Sequence, residues 1–291
     1  MRLINIIEHR QELAGVILED KVLTISSINK FLGKEYWSNT VFKLIQNDEL
    51  DSLNSWLNES KYLFKHLNCV KELTEIKVGP LYRRPRKIWG IGLNYVDHAS
   101  DLSTKAPSTE PASFMKPDTT IIGPSDTIEI PYQSERTTGE AELGIIIGKE
   151  CKDISEEEAS GVIAGFTTVI DMTAEDILQK NPRYLTRSKS FDTFFSFGPQ
   201  LVTPDEVADV HDLNVSTVVN GELHRKNLVS NMTFLPWDLV SFHSKVMTLL
   251  PGDIISTGTP GATVIRDGDV IECHIDGFDP LVNLVKDLKV K

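Results

Sequence analysis

Short segments rich in β-branched residues fill the chain from residue 121 onward and constrain its fold more than any other feature. Each is bounded by Gly, Pro or Asp, which is typical of strands that end in turns. Predicted helices are few there, and the strands do not alternate regularly with helical patterns. A doubly wound parallel sheet is therefore disfavoured. We expect a β-rich α+β fold with a roll-like sheet. The predicted strands are 121–122, 128–130, 143–147, 162–170, 213–219, 253–257 and 270–275, and the predicted helices lie near 155–160, 173–180 and 236–249.

The first 82 residues differ from the rest and are predicted to form a small α+β N-terminal domain. Residues 15–25 are typical of a hairpin, and apolar residues recur every three or four positions over 41–67, as in helices. The basic, Pro-containing stretch 82–86 is interpreted as a linker. The predicted division is therefore 1–82 and a β-roll domain of residues 83–291.

Charge and cysteine content exclude several classes of partner. The chain has 42 acidic and 30 basic residues, a net charge of -12, which argues against binding nucleic acid or an anionic membrane surface. Three widely spaced cysteines form no CxxC pair, as expected of a protein in a reducing compartment. The N-terminal residues are charged and lack an apolar stretch, so we expect no signal peptide and a cytoplasmic location.

Two glutamates precede an apolar strand and predict a metal site. Glu140 and Glu142 are two residues apart, so an extended chain points both side chains to one face. Their repulsion in an apolar setting would be relieved by a divalent cation with hard oxygen ligands. Asp171, placed between the predicted strand 162–170 and a helix from Met172, is a candidate third ligand. Alternatives are a solvated glutamate pair and an aspartate that caps the helix.

Other candidate groups lie in three separate segments. His98 and Asp101 are three residues apart, so on a helical turn the carboxylate can orient the imidazole as a base. Lys189 can neutralise an oxyanion, and the turn that contains Gly258 can bring backbone N–H groups close to a ligand. A surface pair, a solvated lysine and an ordinary turn are the structural alternatives.

From Ile88 to its C-terminus the chain resembles the fumarylacetoacetate hydrolase family. The motifs that carry the resemblance follow the order of that family and are GLNYVDHASDL, PASFMKP, GEAELGIIIGK, AGFTTVIDMTAEDI, RSKSFDTF, a VNGEL hairpin and LLPGDIISTGTP. The resemblance implies a mixed β-roll as the catalytic domain, a homodimer, and a Mg²⁺ or Mn²⁺ site in which Ca²⁺ can act as a non-native occupant.

The same resemblance implies roles for individual residues. Glu140, Glu142 and Asp171 would be metal ligands, and His98 with Asp101 the catalytic dyad. Lys189 would hold the substrate, and Thr259, next to Gly258, would contact the substrate carboxylate. Lys116 would have a structural role behind the ligands.

The implied activity is metal-dependent cleavage of a C–C bond in a small 2-oxo acid, by oxaloacetate decarboxylation or acylpyruvate hydrolysis. Acylpyruvases of the family often carry Arg where this chain has Leu93, and the dyad acid is often Glu where it has Asp101. Alternatives are an isomerase or decarboxylase of hydroxymuconate-type compounds, and a non-catalytic scaffold whose N-terminal aromatic residues bind another protein.

Overall fold

The computed structural model describes residues 1–19, 21–60, 71–96 and 107–290. Strands predominate over helices in these residues, so the predicted β-rich α+β fold is confirmed. None of the helices in the described part of the chain has the length and apolar character needed to cross a membrane. The helices are α1 (Ile25–Leu32), α2 (Val41–Gln46), α3 (Leu50–Ser60), α4 (Glu156–Ala159), α5 (Glu175–Lys180), α6 (Leu185–Lys189) and α7 (Pro236–Val246).

The strands form two mixed sheets. They are β1 (Arg2–Glu8), β2 (Gln11–Leu18), β3 (Lys21–Thr24), β4 (Lys71–Glu72), β5 (Ile88–Gly92), β6 (Ala112–Lys116), β7 (Ile121–Ile122), β8 (Thr127–Ile130), β9 (Thr137–Ile147), β10 (Ile163–Ala174), β11 (Phe195–Val202), β12 (Asn214–Val219), β13 (Glu222–Leu228), β14 (Ile254–Ser256), β15 (Thr263–Val264), β16 (Val270–Ile275) and β17 (Leu281–Asp287). The larger sheet has the order β4-β3-β2-β1-β11-β10-β9-β14-β5-β6, with β15 on β9 and β7 on β11, and the smaller has the order β13-β12-β16-β17-β8.

Two long strands, β9 and β10, form the centre of the molecule. Every residue of both strands is buried. Each strand contains an apolar run, as is typical of strands that are covered on both faces. They pair in antiparallel fashion from Thr137 opposite Ala174 to Ile147 opposite Ile163. Side chains of both strands pack in one apolar core with residues of the smaller sheet, including Val215 and Ile271. The central ladder is therefore buried between packed side chains.

Asp171 lies inside β10, so its predicted place between a strand and a helix is wrong. The ladder with β9 continues for three residues beyond Asp171, and α5 begins only at Glu175. Pairing with β9 satisfies backbone groups that a helix would otherwise satisfy, and so holds this stretch extended. The turn at Asn220 and Gly221 does join β12 to β13, with positive φ at both residues, as the sequence predicts.

The N-terminal residues extend the larger sheet. β1 pairs with β11, with Leu3 opposite Leu201, so the ladder runs on across the predicted boundary at residues 82 and 83. Tyr82, in the predicted linker, is buried between the rings of Phe42 and Phe197, at 5.0 and 5.2 Å between ring centres. The division into two domains stays a prediction.

The N-terminal aromatic residues pack inward. Trp37 is buried and lies 5.3 Å from Trp56 between ring centres, and both rings join the apolar cluster under α1, α2 and α3. Phe42 packs against the same cluster. These rings therefore stabilise the N-terminal part, and do not form the exposed binding face of the scaffold alternative.

His243 predicts a specific pH dependence of stability. Its Nδ1 lies 2.7 Å from the carbonyl oxygen of Leu239 and must carry the proton, so Nε2 accepts from the Ser113 hydroxyl at 2.7 Å. Burial lowers the pKa of His243, so the folded protein keeps this ring neutral. A depressed pKa contributes stability that is present above the unfolded value of about 6.5 and is lost as pH falls below it.

We expect the free energy of unfolding, measured in urea from about pH 8 to about pH 5, to fall more steeply for the wild type than for His243→Gln. The control His224→Gln changes an exposed histidine on β13 and should keep the wild-type slope. Equal slopes for wild type and His243→Gln would contradict the buried neutral ring.

Candidate metal centre

Three buried carboxylates converge on the central ladder. Asp171 of β10 lies directly opposite Glu140 of β9, and Glu142 follows two residues later on the same face. One oxygen from each carboxylate lies within 4.8 Å of the others. The residues are only 7, 1 and 1% exposed for Glu140, Glu142 and Asp171. An extended chain brings the two glutamates to one face, and the register with β10 adds the aspartate.

Two buried lysines contact this cluster. Lys189 Nζ lies 2.5 Å from Asp171 Oδ2 and 3.0 Å from Glu140 Oε2, and so bridges the two carboxylates. Lys116 Nζ lies 2.5 Å from the other oxygen of Asp171. The Lys189 ammonium also lies 4.8 Å from the ring centre of Phe114, a cation–π contact. Asp171 is therefore held between two ammonium groups.

Neutral donors orient the two glutamates. The Ser256 hydroxyl and the Gly258 N–H donate to Glu142 Oε2, at 2.5 and 2.9 Å. The Thr173 hydroxyl donates to Glu140 Oε1 at 2.8 Å. Such bonds fix the carboxylate planes before any ligand arrives, which lowers the cost of arranging them around a cation.

The charges of the cluster shift the pKa values of its members. Burial, with repulsion from Asp171 and Glu140, raises the pKa of Glu142 to about 8. Burial by itself would lower the pKa of Lys189, but attraction to Asp171 and Glu140 outweighs burial and raises it. Burial lowers the pKa of Lys116 in spite of its contact with Asp171. The chain thus buries charged groups at this point that the stability of an apolar core would not require.

The donor set fits a hard divalent cation. All three candidate ligands offer carboxylate oxygens, which Mg²⁺, Mn²⁺ and Ca²⁺ prefer, and no thiol or imidazole belongs to this described cluster. Two lysines balance two of the three formal negative charges, and a divalent ion would supply the positive charge that Glu142 lacks. The triad can therefore hold a divalent metal.

The structure places the other predicted site residues as follows. Lys189 ends α6 and is buried, so the alternative interpretation of Lys189 as a solvated loop lysine is excluded. Gly258 reaches the cluster through its N–H bond to Glu142. Thr259 is buried, and its hydroxyl interacts with the backbone of Gly261. His98 and Asp101 lie outside the described residues, and their roles stay predictions.

Lys116 lies beside a candidate ligand, because its ammonium contacts Asp171 directly. The structural role behind the ligands that the resemblance implies for it stays a prediction. The alternation along β6 turns Phe114 and Lys116 to the same face. Neither Ser256 nor Thr173 was named, because the strands that carry them reach Glu142 and Glu140 only through tertiary pairing.

Comparison with known proteins agrees with this fold and site. A sequence profile described as Fumarylacetoacetate (FAA) hydrolase C-terminal matches residues 87–286. The oxaloacetate tautomerase fahd2 of Xenopus laevis, a mitochondrial protein, is 41% identical over 210 residues, which cover 69% of this chain and 66% of that one.

Two solved structures cover nearly the whole chain. Maleylpyruvate hydrolase from Sphingobium sp. SYK-6, in complex with manganese(II) and pyruvate, has a TM-score of 0.79 and 27% identity, with 99% of each chain covered. The 5-carboxymethyl-2-hydroxymuconate delta-isomerase from Mycobacterium smegmatis has a TM-score of 0.77 and 29% identity, also with 99% of each chain covered.

The fold and the cluster together define an enzyme with a buried carboxylate and lysine centre on a mixed β-roll. The chain belongs to the fumarylacetoacetate hydrolase family, as the match over residues 87–286 shows. Enzymes of this family are hydrolases, lyases or isomerases, and the predicted family is confirmed.

Removal of the Lys116 ammonium should destabilise the metal-free protein. Lys116→Met leaves the buried Asp171 with fewer charge partners, and we expect a loss of about 3 kcal/mol in the free energy of unfolding in urea with chelator present. Lys116→Met with Asp171→Asn should lose less than the sum of the two single variants, because the pair is coupled.

The control is Lys71→Met, which removes the partly exposed pair of Lys71 with Glu8 and should change stability little. A loss for Lys116→Met no larger than that of this control would contradict a tightly coupled buried pair.

Proposed function

We propose that this chain is a divalent-metal-dependent enzyme that cleaves a C–C bond in a small 2-oxo acid. The observation that carries the proposal is the convergence of three buried carboxylates at one point of the central ladder, two of which contact buried lysines. Similarity to a maleylpyruvate hydrolase that binds manganese and pyruvate supports a 2-oxo acid as the substrate class. Oxaloacetate decarboxylation and acylpyruvate hydrolysis are the two reactions proposed.

Glu140, Glu142 and Asp171 would hold the ion, proposed as Mg²⁺ or Mn²⁺. When bound, such an ion polarises the 2-oxo group and stabilises negative charge on its oxygen. The bonds from Ser256 and Gly258 keep Glu142 oriented, and the bond from Thr173 keeps Glu140 oriented. The protein thus fixes the ligand geometry before the substrate enters.

The lysines are proposed to serve the substrate electrostatically. Lys189 is buried with its Nζ on the carboxylate cluster, so a substrate oxygen at the cluster lies within reach of its N–H groups. Donors that are fixed and shielded from water stabilise developing negative charge strongly. Lys116 holds the far oxygen of Asp171 and so keeps that carboxylate oriented. Thr259 is proposed to contact the substrate carboxylate.

His98, oriented by Asp101, is proposed as the base. In acylpyruvate hydrolysis it would take a proton from water, so that the oxygen attacks the distal carbonyl carbon while the C3–C4 bond breaks. In oxaloacetate decarboxylation the C3–C4 bond breaks as carbon dioxide leaves, and no water is activated. Both reactions leave an enolate of pyruvate that takes up one proton at C3.

A second candidate is keto–enol tautomerisation of oxaloacetate. It is favoured by the 41% identity to a protein named oxaloacetate tautomerase, and it needs the same stabilised enolate without cleavage of a C–C bond. Similarity to the hydroxymuconate isomerase keeps isomerisation of a longer enol diacid as a further alternative. A homodimer and a cytoplasmic location stay predictions.

The proposed reactions give different products from a short panel of substrates. We expect the purified protein with Mg²⁺ or Mn²⁺ to release pyruvate and carbon dioxide from oxaloacetate, or pyruvate and acetate from acetylpyruvate, and to lose that activity in chelator. Loss of the enol absorbance of oxaloacetate without pyruvate release would establish the tautomerase instead. No change in any substrate with either ion would contradict both proposals.

Glu142→Gln tests the metal centre independently of catalysis. We expect calorimetric titration with Mn²⁺ to show affinity at least about 10-fold weaker than in the wild type, because one charged ligand oxygen is lost. The control Glu129→Gln alters an exposed glutamate on β8 and should bind Mn²⁺ as the wild type does. Unchanged affinity in Glu142→Gln would remove this residue from the ligand set.

His98→Ala separates the two proposed cleavage reactions. A positioned base contributes about 10²–10⁴-fold, so hydrolysis of acetylpyruvate should fall by that factor. Decarboxylation of oxaloacetate should fall less, because it requires no activation of water. Equal retention of both activities in steady-state assays would contradict the proposed dyad.

A further inference from the structure

Asn94 links three segments of the chain around the carboxylate cluster. It lies two residues after the end of β5 and is 1% exposed. Its Nδ2 donates to the carbonyl oxygens of Thr257 at 2.8 Å and Phe234 at 3.0 Å, and its Oδ1 accepts from the Phe234 N–H at 2.9 Å. The side-chain amide therefore uses both of its donor hydrogens and its acceptor on backbone groups of two other segments.

One of these segments, residues 257–258, forms a wall of backbone behind Glu142. Thr257 follows β14 and precedes Gly258, whose N–H donates to Glu142 Oε2. The Thr257 carbonyl oxygen that accepts from the Asn94 amide and the Gly258 N–H that orients this carboxylate belong to the same peptide unit. A displacement of that carbonyl would move the Gly258 N–H with it, because the peptide unit is planar and rigid.

Gly258 shows how closely Asn94 approaches this wall. Its φ is +97°, and a Cβ atom added there would lie 2.8 Å from the Cβ of Asn94 and 3.1 Å from the carbonyl oxygen of Ile91. Only glycine accommodates both the backbone conformation and the contact. The segment after β14 is therefore fitted against Asn94 over a distance that leaves no room for a side chain.

The backbone at Asn94 is fixed as well. Its carbonyl oxygen accepts from the Thr233 N–H at 2.7 Å, and Tyr95 forms a β-bridge with Met232. Leu93, just before it, has φ of +56°, a conformation that a leucine adopts only where its surroundings impose it. The chain therefore leaves β5 at a fixed point.

We propose that Asn94 is a positioning residue of this enzyme: its side-chain amide holds the Thr257–Gly258 backbone that orients Glu142, and fixes it to the point at which the chain leaves β5 toward His98. The inference rests on the proposed metal-dependent function. It predicts that loss of the amide weakens metal binding and turnover together, although Asn94 is neither a ligand nor in contact with the substrate.

The matched control for Asn94 is Asn283. It is also buried, on β17, and its Nδ2 donates to two backbone carbonyl oxygens, those of Gly123 and Asp126, both at 2.8 Å. Neither acceptor belongs to the carboxylate cluster. Asn283→Asp thus turns two buried donations into contacts between oxygens, as Asn94→Asp does, but away from the carboxylates.

The experiment compares Mn²⁺ affinity, kcat and KM in wild type, Asn94→Asp and Asn283→Asp, at a temperature well below the Tm of each. We expect both variants to lose similar thermal stability. Only Asn94→Asp should weaken Mn²⁺ binding and lower kcat/KM, each by about 10–100-fold, as is usual for residues that orient metal ligands. Asn94→Ala, which adds no charge, should show the same pattern and serves if Asn94→Asp does not fold.

Wild-type Mn²⁺ affinity and wild-type kcat/KM in both foldable Asn94 variants would overturn the inference. Equal losses in Asn283→Asp would overturn it too, since they would trace the effect to general destabilisation. Absence of Mn²⁺ binding by the wild type would instead overturn the proposed function on which the inference rests, so the two failures are distinguishable.

Discussion

Three carboxylates buried against one another require positive charge beside them, and much of the central architecture meets this requirement. Lys116 and Lys189 approach Asp171 from opposite sides, and both are withdrawn from water. An isolated buried charge would be costly, and a pair replaced by apolar residues would usually cost nothing in stability. A buried cluster of five ionisable groups is therefore explained more readily by a role in a reaction than by a contribution to the stability of the fold.

The ladder of β9 and β10 makes this cluster possible. It is covered on both faces, so its backbone is rigid and its side chains have little freedom. The antiparallel register, with Glu140 opposite Asp171, brings together carboxylates that are 31 positions apart in the printed sequence. A slip of one residue would turn both glutamates to the other face and abolish the cluster. The carboxylate cluster thus depends on strand register more than on any loop.

The surroundings of the cluster show how a shared fold serves several reactions. In the proposed reactions, the ladder, the lysines and the donors to Glu142 would all act at the end of the substrate that carries the 2-oxo acid. Relatives with different names, a tautomerase, a hydrolase and an isomerase, share sequence or fold with this chain. The reactions proposed for this chain share a stabilised enolate, so the choice among them would fall to groups that contact the rest of the substrate.

Much of this could be predicted from local pattern. The hairpin at Asn220 and Gly221 follows from turn chemistry, because both residues tolerate positive φ. The position of Glu140 and Glu142 on one face follows from the two-residue period of a strand. β11 was not predicted, because Pro199 interrupts its pattern and Pro is unfavourable inside a sheet. The end of β10 was misplaced, because pairing with β9, not local propensity, holds residues 172–174 extended.

The sequence by itself determined the strand-rich fold class, the family motifs and the two glutamates on one face, since each depends on residues close together in the chain. Only the tertiary structure decided that Asp171 lies opposite Glu140, that Lys116 contacts it, and that Asn94 holds the wall behind Glu142. Those contacts join residues between 31 and 163 positions apart in the sequence. No local period specifies such contacts; they follow from how the sheets pack.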